Sequence, residues 1–207
     1  MEIPSYVLST LALTPPEQHV SLFMRHSIRY PIIDPAETLV VGLTPEGVEL
    51  AEEFGDWLGE VRRPGRIVTS PVGRCIDTGA AIGRGAGWSG GVTIEDRLGF
   101  PFIQSSWDLL LTGAPIDDTS KEAWQTLNML LQDTNLPGGV NIYITHDCNV
   151  AYLARCLLGD LVTEANWPDF LEGLVVWRED DQARIVWRGK IYEVFSSGQL
   201  AYQDHLF

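Results

Sequence analysis

Three short segments concentrate the reactive and cationic side chains of this chain: Arg25-His26-Ser27-Ile28-Arg29, Ser70-Pro71 followed by Arg74, and His146-Asp147. Together they offer three guanidiniums, two imidazoles and a carboxylate. Those types suit phosphoryl transfer. A phosphate monoester is a dianion, and its transition state spreads charge over the equatorial oxygens. Arginine presents a planar fork of donors that matches those oxygens and keeps its charge. A neutral imidazole can attack phosphorus and carry the phosphoryl group covalently. The departing alcohol oxygen needs a proton, which a carboxylic acid supplies and later recovers from the attacking water. Cations buried together without an anion would be costly, so the clustering itself points to an anionic ligand.

Such residues act together only if the fold gathers them, and the flanking sequence indicates how. Each segment follows a short apolar run suited to a buried strand: residues 20–24, 66–69 and 141–145. Helical patterns come between them. Thr44-Pro45-Glu46 has the cap, first-position proline and early acid of a helix start, followed by an apolar face of Val48, Ala51, Phe54, Leu58 and Val61. Val72, Cys75, Ile76 and Ala80 mark a second helix. Thr119 and Glu122 form a capping-box pattern ahead of a third, with Ala123, Leu127, Leu130 and Leu131. Val150, Leu153, Ala154, Leu157 and Leu158 give a fourth, stopped by Gly159. The tail differs: residues 173–177 and 183–194 read as two strands of a hairpin around Glu179-Asp180-Asp181. This alternation predicts an α/β fold, a three-layer α/β/α sandwich with a mostly parallel central sheet and a C-terminal β-hairpin. Ligands of open α/β sheets bind beyond the carboxyl ends of the strands. Three strand ends would therefore bring Arg25, His26, Arg29, Arg74, His146 and Asp147 to one rim, with helix N-termini after Arg74 and Asp147 adding backbone N–H groups.

The bulk composition agrees. At 207 residues, with 45% hydrophobic and 20% charged side chains, the chain is expected to be a single domain, 1–207, with a sizeable core and no disordered composition. A net charge of −14 excludes general binding to nucleic acid or to anionic membrane surfaces. Any phosphate site must therefore be a local island of positive charge. Cys75, Cys148 and Cys156 cannot all pair and lack CxxC spacing, so neither a disulfide framework nor structural zinc is expected. No metal or other cofactor is expected, because the arginines would repel a cation. The apolar run 6–13 lacks a basic flank and reads as mature structure. No stretch reaches the roughly 18 apolar residues of a membrane span, and a cytoplasmic location is expected.

Arg25-His26-Ser27-Ile28-Arg29-Tyr30-Pro31 resembles the R-H-G-x-R-x-P signature of the histidine phosphatase superfamily, specifically its acid phosphatase and phytase branch. His146-Asp147-Cys148-Asn149 is similar to the H-D-x-N signature of that branch, and Thr69-Ser70-Pro71 leading to Arg74 to its further phosphate-binding segment. Leu43-Thr44-Pro45-Glu46-Gly47 resembles a helix start common in these proteins. The resemblance runs from about residue 20 to 159. It implies a phosphoglycerate mutase-like fold and a phosphomonoester hydrolase acting on a small-molecule phosphate ester. His26 would be the nucleophile, Arg25, Arg29, Arg74 and His146 would hold the phosphoryl oxygens, and Asp147 would donate the proton. The other branch takes its acid after the second arginine segment, where Glu95 or Asp96 stands; the H-D pair favours Asp147. Alternatives with the same histidine are a phosphotransferase or phosphomutase, or a catalytically weak phospho-ligand binding module. Two departures stand out. Ser27 replaces the usual glycine, and the cover over the site is short, about 99–118, with Phe100, Phe102 and Trp107 available as walls.

Overall fold

Strand β1 (Val20–Arg25) is buried along its whole length, as is β4 (Gly139–Thr145), and the two pair in parallel at the centre of the molecule. Both are mostly apolar because a central strand is covered on both faces, and their polar Ser21 and Asn141 are buried with hydrogen-bond partners. The computed structural model describes residues 3–99, 121–132, 135–159, 162–195 and 200–202. Within these, helix α1 (Ser5–Ala12) precedes β1; α2 (Pro45–Val61), β2 (Arg63–Thr69), α3 (Gly73–Gly85) and β3 (Val92–Ile94) follow it. Then come α4 (Lys121–Leu130), β4, α5 (Asp147–Leu158), β5 (Gly173–Glu179), β6 (Gln182–Trp187), β7 (Lys190–Phe195) and β8 (Leu200–Tyr202). The expected cover beyond Gly99, with Phe100, Phe102 and Trp107, lies outside the described residues, and so does Thr119.

The sheet order is β3-β2-β4-β1-β5-β6-β7-β8. The first four strands are mutually parallel; β5 pairs antiparallel with β1, and β6, β7 and β8 continue as a meander. The expected hairpin is present as β5–β6, turning at Asp180, which is in the left-handed region. Its second strand does not run through to Val194 as the sequence pattern predicts. Instead the chain reverses at Arg188-Gly189, both with positive φ, and starts β7. The sheet is therefore half antiparallel rather than mostly parallel. Only Arg188-Gly189 marks this turn in the sequence, and it is easily passed over because two short strands and one long one share the same alternation.

Helices cover both faces. On one, α1, α2 and α3 pack on Val20, Leu22, Met24, Ile142 and Ile144; on the other, α4 and α5 pack on Phe23, Tyr143, Leu174 and Val176. Alternate residues of each strand feed alternate layers, as the period of two requires. The arginines at 62, 63 and 66 fall at the α2–β2 junction. Buried Arg62 closes α2 and donates to the carbonyls of Thr14, Pro15, Pro16 and Gln18, clamping the loop before β1. Among the described residues no helix is long and apolar enough to cross a membrane.

Candidate active site

The carboxyl ends of β2, β4 and β1 are adjacent and level: Thr69 pairs with Ile144, and Arg25 with Thr145. The ladder reaches one residue further, with His26 N–H donating to the Thr145 carbonyl (3.0 Å) and Ser70 N–H to that of Ile144 (2.9 Å). The residues after these strands are thereby fixed by the sheet itself. His26, Ser70, Arg74 and His146 are all essentially buried.

Arg74, in the first turn of α3, organises the centre. Its Nε donates to His26 Nε2 (2.9 Å), its Nη2 lies 3.1 Å from His146 Nδ1, and its Nη1 donates to the Thr38 carbonyl (2.6 Å). His26 Nδ1 is 2.8 Å from the Ser27 carbonyl, which can only accept. The proton therefore sits on Nδ1, and the Nε2 lone pair points to Arg74. By the same reasoning His146 accepts at Nδ1 and donates from Nε2 to the Ser70 hydroxyl (3.0 Å). The imidazole rings stand edge to face with centroids 5.7 Å apart. Burial, reinforced by Arg74, Arg25 and the second histidine, holds His26 well below its ordinary pKa. Burial and the same arginines bring His146 down to about 3. Both rings are neutral across the physiological range.

Ser27 fits without strain. Among the described residues only Leu171, Asp180 and Arg188 are non-glycines with positive φ, so position 27 does not use glycine's freedom. Its hydroxyl donates to the Gly47 carbonyl (2.7 Å), and its N–H to the Thr78 hydroxyl (3.1 Å). The side chain therefore joins β1 to α2 and neither narrows the site nor reaches into it. Gly47 itself is obligatory: a Cβ there would lie 2.0 Å from the Ile28 carbonyl oxygen. The helix start at Thr44, whose hydroxyl caps Gly47 N–H, is thus pressed against the histidine segment.

Asp147 opens α5. One carboxylate oxygen accepts from Cys148 N–H (2.9 Å), and the other is 3.1 Å from Arg25 Nη2. Burial alone would raise its pKa; Arg25, the Cys148 N–H and the Trp167 indole together hold it below the ordinary carboxylate value. Arg25 is also gripped by the Pro168 carbonyl (2.6 Å) and lies 4.0 Å over the Phe170 ring. Arg29 stands at the edge, donating to the Tyr30 carbonyl (2.9 Å), and its charge is felt by Arg25, Arg74 and His146. Asn149 holds Leu98 and Thr145 together through its amide nitrogen (3.2 and 2.7 Å). Glu95, the other candidate acid, is bound by both ends to Arg97 (2.9 Å each) and caps the short turn Asp96–Leu98.

All six expected residues thus lie on or beside one rim. The sequence pattern gives no warning of residues 167–170, whose Phe170 ring centroid is 6.1 Å from that of His26. They arrive there because β5 runs antiparallel to β1, so its beginning meets the end of β1: Gly173 pairs with Met24, and Arg25 N–H donates to the Glu172 carbonyl (2.9 Å). A Cβ at Gly173 would lie 2.2 Å from the Phe23 carbonyl oxygen. That glycine is the one signal the sequence offers. Among the described residues no three His, Cys, Asp or Glu side chains are grouped to hold a metal ion.

Residues 38–99 match the family model of the histidine phosphatase superfamily (branch 1). Solved structures with a similar fold include the protein histidine phosphatase SixA complexed with tungstate (17% identity, 89% of this chain and 94% of that chain, TM-score 0.51). Others are phosphoglycerate mutase from Bacillus anthracis str. Sterne (13%, 91% and 93%, 0.52) and mycobacterial hydrolase 2 (18%, 92% and 91%, 0.52). The chain shares the fold of these proteins. No curated protein matches the chain. The matching histidine phosphatase model is that of branch 1, whereas the H-D pair resembles the acid phosphatase branch.

Proposed function

We propose that this chain is a phosphomonoester hydrolase working through a phosphohistidine on His26. The observation that carries the reading is the fixed tautomer of that ring: Nδ1–H tied to the Ser27 carbonyl, Nε2 presented at Arg74. A neutral imidazole held this way is a ready nucleophile. A phosphate dianion entering the rim draws Arg74 and Arg25 onto its oxygens, with Arg29 and His146 beside them, and releases the Nε2 lone pair. Nε2 then forms a bond to phosphorus while the ester P–O bond breaks. Asp147 gives its proton to the departing alcohol oxygen. Water next attacks phosphorus, returns a proton to Asp147, and leaves inorganic phosphate and free His26. This balance needs no metal or other cofactor.

Asp147 is the proposed donor although the family match is to branch 1. Its carboxylate is the one bonded to Arg25, while that of Glu95 is fully engaged by Arg97. The relatives named above include a phosphatase and a mutase, and the choice between water and a second alcohol as acceptor is an assay result. Hydrolysis of a chromogenic aryl phosphate at mildly acid pH should be seen with the wild type and lost in His26→Ala. Activity surviving that substitution would sink the proposal. Phosphoryl transfer to added glycerol or glucose in excess of phosphate release would replace hydrolase with phosphotransferase.

A further inference from the structure

Two apolar features adjoin the cationic centre, the loop that receives Arg74 and the Phe170 ring. Among the described residues the exposed large hydrophobic side chains are Tyr30 (52%), Ile33 (89%), Leu39 (55%), Val40 (78%), Val61 and Ile94. Four of these sit in one loop, residues 30–43, which joins the His26 segment to α2. The loop is built rather than slack. Asp34 caps the turn Pro35–Glu37 (2.9 Å to Ala36 N), the Thr38 hydroxyl donates to the Pro35 carbonyl (2.6 Å), and Arg29 bridges to Leu43 at its base. Its Thr38 carbonyl receives Arg74, so the loop is continuous with the phosphoryl site. An ordered loop that holds several apolar side chains in water signals a ligand or partner.

The Phe170 ring, over Arg25 and beside His26, adds a second apolar surface. It too is fixed: Tyr6 donates to the Phe170 carbonyl (2.8 Å), Leu171 is fully buried at φ 61°, and Glu172 is paired with Arg188 (2.7 Å). Charge completes the pattern. Residues 30–43 contain Asp34 and Glu37, residues 162–172 contain Asp169 and Glu172, and neither stretch has a lysine or arginine. The neighbouring Arg97 and Arg188 are engaged by Glu95 and Glu172. A carboxylate or second phosphate on the alcohol would find no cation in either stretch, and the cations beside them are already committed to the phosphoryl group or to acids of the chain.

We propose that the ester taken by this site carries an uncharged, apolar alcohol, alkyl or aryl, seated against the 30–43 loop and Phe170. The inference rests on the phosphatase reading above and narrows its substrate class. The products are then an apolar alcohol and inorganic phosphate.

Initial rates with ethyl, butyl and octyl phosphate, below micelle formation, test it against 3-phosphoglycerate, with 4-nitrophenyl phosphate as reference. kcat/KM should rise about tenfold or more from ethyl to octyl, mainly through KM, since each fully buried methylene is worth roughly fourfold. 3-Phosphoglycerate should be the poorest ester. The double substitution Ile33→Ser, Val40→Ser, and separately Phe170→Ala, should pull the octyl-to-ethyl ratio towards one, whereas Val61→Ser on the far end of α2 should leave that ratio alone. Turnover of 4-nitrophenyl phosphate that depends on His26, with no chain-length dependence, overturns the substrate class and leaves the phosphatase reading standing. No turnover of any ester overturns both. A dimer that the loop double variant converts to monomer, again without chain-length dependence, assigns the loop to a second copy and overturns the inference.

Discussion

In the free site Asp147 is ionised, because the pull of Arg25, Cys148 N–H and the Trp167 indole outweighs the effect of burial. An acid ionised at rest can donate only if the ligand changes its surroundings. A phosphate dianion does so twice: it draws Arg25 away and places negative charge beside the carboxylate, and each change raises the pKa. Asp147→Asn should therefore cost about 10²–10⁴-fold in kcat with alkyl phosphates, whose leaving groups need the proton, and far less with 4-nitrophenyl phosphate. Parallel kinetics on the two esters read this out, and equal losses would remove Asp147 from the role. At Ser27 the expectation is the reverse of a crippled site. Ser27→Gly deletes the bond to Gly47 and loosens the chain, so denaturation should show a loss of about 1 kcal/mol with kcat unchanged. The histidines, arginines and Asp147 are legible in the sequence because chemistry restricts their types and spacing. Trp167 and Phe170 are not: they belong to no motif, and reach the rim only through the antiparallel pairing of β5 with β1.

Helix α2 is legible almost to the residue, because capping and an apolar face at three-to-four spacing act locally and the Thr44 cap is present as expected. Its consequence for the site is not, since nothing in the sequence says that Gly47 touches Ile28. That contact makes a prediction at the level of the element. In Gly47→Ala the new methyl would lie 2.0 Å from a backbone oxygen, which cannot swing aside as a side chain could. The helix must back away and carry residues 26–28 with it. Overpacking of this kind costs about 1–3 kcal/mol, and kcat should fall along with the midpoint of unfolding. Gly42, at the other end of the same turn, would have nothing within 4 Å of an added methyl, and Gly42→Ala should leave both unchanged. Equal behaviour of the two variants would show that α2 does not brace the histidine segment. The parallel half of the sheet follows from strand-helix alternation. The antiparallel half is only partly legible, as a hairpin, because β6 and β7 are separated in sequence by Arg188-Gly189 alone.

Across the whole molecule the site is a small pocket of positive charge in a chain of net charge −14, set between two hydrophobic layers. Its two imidazoles are kept neutral, and that couples the proposed chemistry to stability. In the unfolded chain a histidine titrates near about 6.5. In the folded protein His146 titrates at about 3, and burial and the arginines hold His26 well below its ordinary value. Both folded values are lowered, so as the pH falls from about 6.5 towards 3 the unfolded chain takes up protons that the native state refuses. For His146 the unfolding free energy should then drop by about 1.4 kcal/mol per pH unit, and His26 acts in the same direction. Urea denaturation at constant ionic strength from about pH 7 to about pH 5 measures the slope, and His146→Gln should reduce it by about one proton. Saturating phosphate should act in the same direction. A bound dianion favours imidazolium, raises both folded-state values, and so removes part of the proton uptake on unfolding. If the slope is the same with and without phosphate, and in the variant, the histidines do not face the anion site and the phosphohistidine chemistry loses its structural basis.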